Sequence, residues 1–340
     1  MRKINSFVLC AVLVLVFGLS SLVLAAPVVL NLSDQNSEQG WGPVHALQPW
    51  AKQIEEKTNG QVKIQIHSKQ SLAKGPQNWQ AVSLGMADMG WNMMGYWSGK
   101  FPLAEVITLP GLPFNTAEKG SEVAWKLYEA FPEIQKEFAD VKLLILFTCE
   151  PYRLVTTDKE VKTIADIKGM AIRMSGGPPA DQLTLLGAKA ISIPMPQVGI
   201  SLGKGLIDGA GAPWEGIGSF KLYEVIKYAV EVPFSAAMFS VTMNKDKWNS
   251  LSSDVQAAIM SVSGLEGSKF FGLNFFDGPQ QDVMRKAGGK VKFYALSDSE
   301  RKKWLEVSSK PVWEQWVADM EKQGHSKARE VLNTTLDLLK

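Results

Sequence analysis

The sequence predicts an α/β protein with two domains. Strand-like and helix-like segments alternate from residue 28 to about residue 193, an order in which helices cover the faces of a sheet. The chain has 340 residues, which is long enough to bury two hydrophobic cores. From Ser252 onward strand patterns nearly vanish and helical patterns dominate.

In the first half of the chain, each predicted strand is followed by a predicted helix. The apolar run at 28–32 is typical of a buried strand, and 62–66 alternates apolar and polar residues as a half-buried strand does. The amphipathic helix expected at 44–57 ends at a Thr-Asn-Gly sequence, a common helix stop. The remaining segments are helices at 79–86 and 118–131 and strands at 87–91 and 143–147.

The same order resumes after residue 150. Strands are predicted at 153–156, 170–173, 189–193 and 291–294, and helices at 180–186, 254–276, 280–286 and 297–323. The glycine-rich stretch 203–211 lacks the third glycine of a dinucleotide-binding loop at the required spacing and follows no clear strand. We therefore interpret its glycines as turn and helix-cap residues.

Residues 1–25 have the layout of a secretory signal peptide. Arg2 and Lys3 precede an apolar stretch at about 7–16, and Val23 and Ala25 are the small residues expected before a cut after Ala25. Cleavage would leave 34 of the 36 basic residues against 34 acidic residues. A neutral mature chain argues against nucleic acid as a partner, so small solutes are the expected partner class.

The sequence offers little that could catalyse a reaction. Its three histidines, His45, His67 and His325, have no second histidine or cysteine at metal-ligand spacing. Neither the GxSxG turn of serine hydrolases nor a GxxxxGK[ST] phosphate loop is present. Cys149 would be the one thiol left after processing, so no intramolecular disulfide is expected. The sequence predicts a protein that is not an enzyme and uses no metal or cofactor.

Arg173 is the first candidate binding residue. It ends a short apolar strand and precedes the glycine- and proline-rich loop 174–179. A guanidinium at a strand end beside such a loop can hold a carboxylate in a cleft, because its planar fork matches the two carboxylate oxygens. The alternative is an arginine that caps the loop or pairs with a surface acid.

Seven segments in order resemble one family along essentially the whole mature chain. They are 50–60, 84–89, 109–114, 164–173, 205–209, 221–228 and 243–248. Together they resemble the periplasmic solute-binding subunits of tripartite ATP-independent periplasmic (TRAP) transporters, of the DctP type.

This resemblance implies a two-domain periplasmic binding protein of the class II type, with a hinge, crossing segments and a long domain-spanning helix. Domain I would comprise 27–150 plus 236–277, and domain II 151–235 plus 278–340. The resemblance further implies a monomeric receptor in the periplasm that captures an organic carboxylate. The receptor would deliver it to membrane subunits driven by an ion gradient.

The resemblance also assigns candidate ligand-binding residues. Arg173 aligns with the family arginine that pairs bidentately with the ligand carboxylate. Arg153 aligns with a second arginine near the cleft, with a structural or hinge ion pair as the alternative. Ala212 occupies a position where many members have an asparagine that assists the carboxylate, so this site would lose one hydrogen-bond partner and gain space.

Other candidate cleft residues are largely apolar. Trp91 ends a predicted strand, Met195 stands where the family often has an aromatic residue, and Trp214 would add an aromatic face. Glu215 could accept a hydrogen bond from a ligand amine or hydroxyl. Such a lining favours a monocarboxylate with an aromatic or bulky apolar part. Packing in the core is the alternative role for the tryptophans.

Two other functions stay open on the sequence alone. A ligand-sensing periplasmic protein of the same fold would share every feature above. An exported α/β enzyme acting on a small acid is disfavoured by the shortage of nucleophile–base pairs.

Overall fold

Two β-sheets form the framework of this computed structural model, which describes residues 26–340. The predicted signal peptide and its cut after Ala25 lie outside the described residues. The strands are β1 Val28–Ser33, β2 Val62–His67, β3 Met89–Met93, β4 Val141–Thr148, β5 Arg153–Thr156, β6 Ala171–Arg173, β7 Lys189–Ile191, β8 Gly209–Ala212, β9 Tyr228–Glu231, β10 Met238–Asn244 and β11 Lys292–Ala295. The first sheet has the order β2-β1-β3-β10-β4 and the second β11-β9-β5-β8-β6-β7. The predicted α/β fold with two domains is confirmed.

Helices connect most of these strands and cover the sheets. The α-helices are Gln48–Lys57, Asn78–Ser83, Ala117–Ala130, Pro132–Glu137, Ile164–Ile167, Pro178–Leu185, Met195–Gly203, Trp214–Ser219, Lys245–Asn249, Ser253–Met260, Gly264–Phe271, Gln280–Ala287, Asp298–Ser308, Lys310–Lys322 and Ala328–Leu338. Two π-helices, Pro43–Leu47 and Gly272–Asp277, extend neighbouring α-helices. Short 3₁₀ turns lie at Gly75–Gln77, Met94–Tyr96, Ala104–Thr108 and Leu222–Glu224.

The chain returns from the second sheet to complete the first. Strand β1 is parallel to β2 and β3, whereas β10 is inserted antiparallel between β3 and β4. Every residue of β10 is buried, which agrees with its place inside the sheet. Strand β4 packs against the helices Ala117–Ala130 and Gly264–Phe271.

Strand β8 corrects the interpretation of the glycine-rich stretch. Gly209–Ala212 is a fully buried strand paired with β5 and β6, although Gly205 does form a turn with φ 65°. A Cβ atom on Gly209 would lie 2.7 Å from the Val155 carbonyl oxygen, and one on Gly211 would lie 2.6 Å from the Met174 sulfur. Close packing therefore requires glycine in this strand. Because glycine is typical of turns, the sequence pattern did not indicate a strand here.

Two connections between the sheets lie side by side. The amide of Cys149 donates to the Ala237 carbonyl at 3.1 Å, and that of Tyr152 donates to the Ser235 carbonyl at 3.1 Å. These are the crossing segments expected of a two-domain binding protein. The two segments are hydrogen-bonded to each other and so form one paired connection between the halves.

A third connection is helical. Gly264–Phe271 continues into Gly272–Asp277, and after Pro279 the helix Gln280–Ala287 packs on Trp214–Ser219 beside the second sheet. The long helix expected between the domains is thus present.

Two predicted helices are interrupted. The helix predicted at 254–276 breaks before Gly264, whose φ is 61°, a value that ends a right-handed helix. The helix predicted at 297–323 divides at Ser309, because Pro311 cannot continue it and is placed in the first turn of the next helix.

The C-terminal helices contact both halves of the molecule. Asp298–Ser308 and Lys310–Lys322 pack on Pro178–Leu185, whereas Ala328–Leu338 packs on Ala117–Ala130. The residue bounds of the two domains stay a prediction. Among residues 26–340, no helix combines the length and apolar character needed to cross a bilayer.

Candidate functional site

Arg173 is buried at the end of β6, with 1% of its surface exposed. Its Nε donates to the Ile193 carbonyl at 3.1 Å, its Nη1 donates to the Gly211 carbonyl at 3.4 Å, and its Nη2 lies 3.9 Å from the Met93 sulfur. The ion pairs formed within residues 26–340 do not include Arg173. A buried guanidinium with no carboxylate partner is costly unless an anion joins it.

Beside Arg173, a cavity lies between the two sheets. Its free volume is about 20 Å³, room for about one water molecule. The two halves are therefore closed onto each other. The lining residues are Gln35, Asn36, Trp91, Met93, Tyr152, Arg173, Met195, Pro213, Glu215, Gly216, Phe220, Phe239 and Phe276.

Four of the residues singled out from the sequence meet at this cavity: Arg173, Trp91, Met195 and Glu215. Trp91 comes from β3, and its ring stacks on Phe275 with centroids 5.5 Å apart and planes 21° apart. Met195 begins the helix Met195–Gly203, and Glu215 lies in the first turn of Trp214–Ser219. Both sheets thus contribute to the lining.

The other three, Arg153, Trp214 and Ala212, do not line it. Ala212 is fully buried, and its neighbours in the chain, Gly211 and Pro213, are the residues that face Arg173 and the cavity. Successive residues of a strand point to opposite sides, which turns Ala212 away.

Arg153 and Trp214 contact each other outside the cavity. The guanidinium carbon of Arg153 lies 4.1 Å from the Trp214 ring centroid, and its Nη1 lies 3.3 Å from Oε1 of Glu150. The Trp214 ring packs on Phe293, with centroids 5.1 Å apart. Arg153 instead lines a separate cleft of about 430 Å³ together with Glu150, Glu231 and Arg301.

One buried carboxyl group, that of Glu215, lines the cavity, and the buried carboxyls of Asp34 and Glu150 lie close enough to influence it. Burial raises the pKa of Glu215 to about 7, and the charges of Asp34 and Glu150 add to the effect, whereas the hydrogen bond from the Ser219 hydroxyl at 2.5 Å opposes it. Burial likewise raises the pKa of Glu150 to about 7 and that of Asp34 to about 6. The cavity is therefore lined by the fixed positive charge of Arg173 and by the Glu215 carboxyl, which is about half neutral at pH 7.

Tyr96 links the two halves next to the cavity. Its hydroxyl donates to Oε1 of Gln35 at 3.0 Å and accepts from the Met195 amide at 3.0 Å. Gln35 and Asn36 lie two and three residues after the end of β1, beyond the carboxyl end of a strand, where α/β sheets bind ligands. This position after a strand would have indicated Gln35 and Asn36 as candidate ligand-binding residues, but they were not predicted from the sequence.

The remaining missed residues have no comparable signal. Tyr152 lies in a crossing segment, while Phe239 and Phe276 reach the cavity from β10 and from the π-helix Gly272–Asp277. Their positions depend on the return of the chain to the first sheet. In the described part of the chain, no three His, Cys, Asp or Glu side chains cluster as metal ligands would.

Family comparison agrees with this architecture. Residues 41–323 match the family described as bacterial extracellular solute-binding protein, family 7, DctP. The chain belongs to this family. The predicted resemblance to DctP-type solute receptors of TRAP transporters is confirmed, and so is the predicted role in transport by carboxylate binding.

Solved structures of DctP-like receptors share the whole fold. A TRAP solute-binding protein from Rhodoferax ferrireducens in complex with copurified benzoate is 28% identical, with a TM-score of 0.87 over 92% of this chain and 97% of that chain. A marine metagenome TRAP solute-binding protein specific for aromatic acid ligands, with 3-hydroxybenzoate, is 27% identical, with a TM-score of 0.86 over 93% and 98%. A Bordetella bronchiseptica receptor with bound (R)- and (S)-mandelate is 27% identical, with a TM-score of 0.85 over 92% and 99%.

Proposed function

We propose that this DctP-family receptor binds an aromatic monocarboxylate between its two halves, with Arg173 as the carboxylate anchor. The observation that carries the proposal is the burial of Arg173 without an anionic partner in the described chain. Two of its nitrogens donate to backbone carbonyls, and among the described residues the Met93 sulfur, at 3.9 Å, is the one hydrogen-bond partner of Nη2. A ligand carboxylate would supply the missing negative charge in a charge-assisted pair.

The apolar lining supports an aromatic body for the ligand. Trp91, Met93, Met195, Phe239 and Phe276 surround the space next to Arg173. Aromatic rings and thioethers pack well against a flat apolar ring. Benzoate, 3-hydroxybenzoate and mandelate, the ligands of the similar receptors, share one carboxylate and one aromatic ring.

Glu215 would contact the part of the ligand remote from the carboxylate. Near pH 7 its carboxyl can donate or accept a hydrogen bond, because its pKa is about 7. A hydroxyl or amino substituent on the ligand would suit either state. Arg153, Trp214 and Ala212 would act indirectly, by holding β5 and β8 behind the cavity.

Ligand entry requires the halves to separate. A cavity of about 20 Å³ is smaller than any aromatic acid. Binding would select a state in which the paired crossing segments let the lobes part and then close on the ligand. The ligand bridges both halves in the closed state and would stabilise it.

In the cell, the receptor would work in the periplasm as a monomer and release its ligand unchanged to the membrane subunits of a TRAP transporter. The family membership and the predicted signal peptide support this location.

Calorimetry and thermal shift on the purified protein test the proposal. Benzoate, mandelate and indole-3-acetate should bind and raise the melting temperature, whereas succinate, glucuronate and benzyl alcohol should not. Arg173→Ala should weaken binding at least about 100-fold, because charged hydrogen bonds contribute about 1.5–3 kcal/mol each. Arg173→Lys should recover only part of this, since an ammonium cannot form the two parallel bonds. Arg285→Ala, at a side chain 77% exposed, is the control.

Two results would contradict the proposal. If Arg173→Ala kept wild-type affinity, Arg173 would not be the anchor. If only dicarboxylates or sugar acids bound, the aromatic ligand class would be wrong while the receptor role stood.

A further inference from the structure

Two helices at the interface between the halves begin without a capping side chain. In the first half, which contains the first sheet, a helical segment begins at Trp41, and the carbonyl of Gly40 accepts its first intrahelical bond. In the second half, the helix Met195–Gly203 begins directly after Pro194. The first four amides of a helix have no partner inside it, and neither glycine nor proline has a side chain that can accept from them.

A hydroxyl group of the opposite half accepts from the first amide of each helix. The Trp41 amide donates to Oγ of Ser219 at 3.2 Å, and the Met195 amide donates to the hydroxyl of Tyr96 at 3.0 Å. Ser219 ends the helix that follows β8 in the second sheet, whereas Tyr96 follows β3 in the first. Each half therefore caps a helix of the other.

The same two hydroxyls also contact the lining of the cavity beside Arg173. Tyr96 donates to Oε1 of Gln35 at 3.0 Å, and Ser219 donates to Oε1 of Glu215 at 2.5 Å. Gln35 and Glu215 line the cavity, whereas Tyr96 and Ser219 do not. A hydroxyl that donates a hydrogen bond becomes a better acceptor, because bonds in a chain polarise one another. The caps between the halves are thus linked to the groups around the cavity.

Close packing fixes the position of the Trp41 amide. The Trp41 ring stacks on His45 with centroids 3.8 Å apart, and its Nε1 donates to the Asn274 carbonyl at 3.1 Å. A Cβ atom on Gly40 would lie 3.0 Å from Oγ of Ser219. Glycine at position 40 therefore allows the hydroxyl of the other half to approach this amide.

We propose that Tyr96 and Ser219 are positioning residues, which stabilise the closed, ligand-holding state of the receptor by capping these two helices across the cleft. The proposal takes its ligand from the proposed carboxylate-binding function. Separation of the halves leaves both amides to water, so each cap contributes to the free energy of the closed state. Since the ligand leaves only when the halves part, loss of a cap should speed release more than it slows binding.

Stopped-flow measurement of benzoate release tests the proposal, with tryptophan fluorescence as the signal because Trp91 lines the cavity. Tyr96→Phe removes one hydroxyl and keeps the ring, and Ser219→Ala removes the other hydroxyl. Each should raise the dissociation rate constant about two- to tenfold, the effect of one hydrogen bond, and change the association rate constant less than about twofold. The double variant should release benzoate faster than either.

Ser219→Thr is the rescue variant. Threonine keeps the hydroxyl, and its added methyl group can enter the cleft of about 260 Å³ that Ser219 also lines. Benzoate release should therefore stay close to the wild-type rate. A role of Ser219 in packing alone would not be rescued by the hydroxyl.

Two further variants remove a hydroxyl far from the cavity. Tyr294→Phe removes a bond to the Val161 carbonyl at 2.7 Å. Ser261→Ala removes a bond to the Ala258 carbonyl at 2.7 Å. Neither Tyr294 nor Ser261 lines the cavity, so both variants should release benzoate at the wild-type rate.

Hydrogen exchange measured by mass spectrometry checks the caps without a ligand. In the peptides that contain Trp41 and Met195, exchange should be faster in the double variant than in wild type, and unchanged in the two controls. If wild type does not bind benzoate, the proposed ligand class is wrong, and the exchange measurement still decides the role of the caps. The proposal is wrong if the double variant releases benzoate at the wild-type rate, if the controls speed release as much, or if both peptides exchange as they do in wild type.

Discussion

The guanidinium Nη2 of Arg173 lies 3.9 Å from the sulfur of Met93. Arg173 ends β6 in the second sheet, and Met93 ends β3 in the first. The proposed carboxylate anchor therefore touches the opposite half of the molecule in the closed state. A ligand carboxylate that pairs with Arg173 would have to displace the Met93 sulfur from Nη2.

A carboxylate placed at position 93 should occupy the anchor. In Met93→Glu a side chain of similar length can pair with Arg173, so we expect benzoate affinity to fall at least about 100-fold. Met93→Gln introduces a side chain of the same shape as glutamate without the charge, and it should lower benzoate affinity much less. Calorimetry measures both variants. Equal losses in the two would show that shape, not the charge of Arg173, limits binding.

Glycines allow the two halves to meet beside the anchor. The Gly176 amide donates to the Gly95 carbonyl at 3.2 Å, and a Cβ atom on Gly95 would lie 2.7 Å from Cβ of Ser175. We expect Gly95→Ala to hold the halves apart and to weaken benzoate binding about tenfold or more, since closure must then overcome a steric clash. Small-angle scattering should show a larger radius of gyration for the liganded variant than for liganded wild type.

Gly203→Ala is the matched control for this substitution. A Cβ atom there would meet only Val225, at 3.8 Å, an ordinary van der Waals distance. Its affinity and its scattering curve should match those of wild type. If Gly95→Ala bound benzoate with wild-type affinity and closed fully, the contact of Gly95 with Ser175 and Gly176 would not be needed for closure.

Ligand affinity should fall as the pH rises through about 7. The pKa of Glu215 is about 7, so above this pH a second negative charge shares the cavity with the ligand carboxylate. We expect benzoate affinity to drop roughly three- to tenfold between about pH 6 and pH 8. Glu215→Gln should reduce this drop, and the remainder would come from Asp34 and Glu150, whose pKa values are also raised. An unchanged pH profile in Glu215→Gln would exclude its titration as the cause.

The same group should affect stability with a definite sign. Its pKa in the folded protein lies above the ordinary 4.5, so its contribution to the free energy of unfolding is fully present below about pH 4.5 and is lost as the pH rises through about 7. Urea unfolding of the unliganded protein should therefore show a smaller decline from about pH 5 to about pH 7 in Glu215→Gln than in wild type.

The buried pair of Arg153 and Glu150 should stabilise the fold less than its burial suggests. Burial lowers the pKa of Arg153 and raises that of Glu150, so desolvation outweighs their attraction. Arg153→Met alone should reduce the free energy of unfolding by about 2–4 kcal/mol, because it leaves Glu150 unpaired. Adding Glu150→Gln should restore most of the loss.

A double-mutant cycle from urea unfolding measures this coupling. Arg301→Met is the control, since Arg301 is 47% exposed and lies 3.7 Å from Glu231, and it should cost less than about 1 kcal/mol. Additive losses for Arg153 and Glu150 would contradict the expectation.

The sequence by itself determined the local structure and one end of the candidate site. Hydrophobic periodicity and stop residues act within a few residues, so the alternation of strands and helices up to 193 was predictable. Arg173 was predictable as the end of a strand for the same reason. The chain length and the seven segments that resemble the DctP family likewise indicated two α/β domains.

Tertiary structure alone decided which side chains meet. Strand Gly209–Ala212 has glycine at positions 209 and 211 because Val155 and Met174 approach too closely for larger residues, a constraint that no local pattern carries. Its strand alternation turns Ala212 away from the cavity. Phe239 and Phe276 reach the cavity beside Arg173 only because the chain returns to the first sheet. Contacts between residues far apart in sequence depend on how the two sheets close, and that closure is a property of the folded chain.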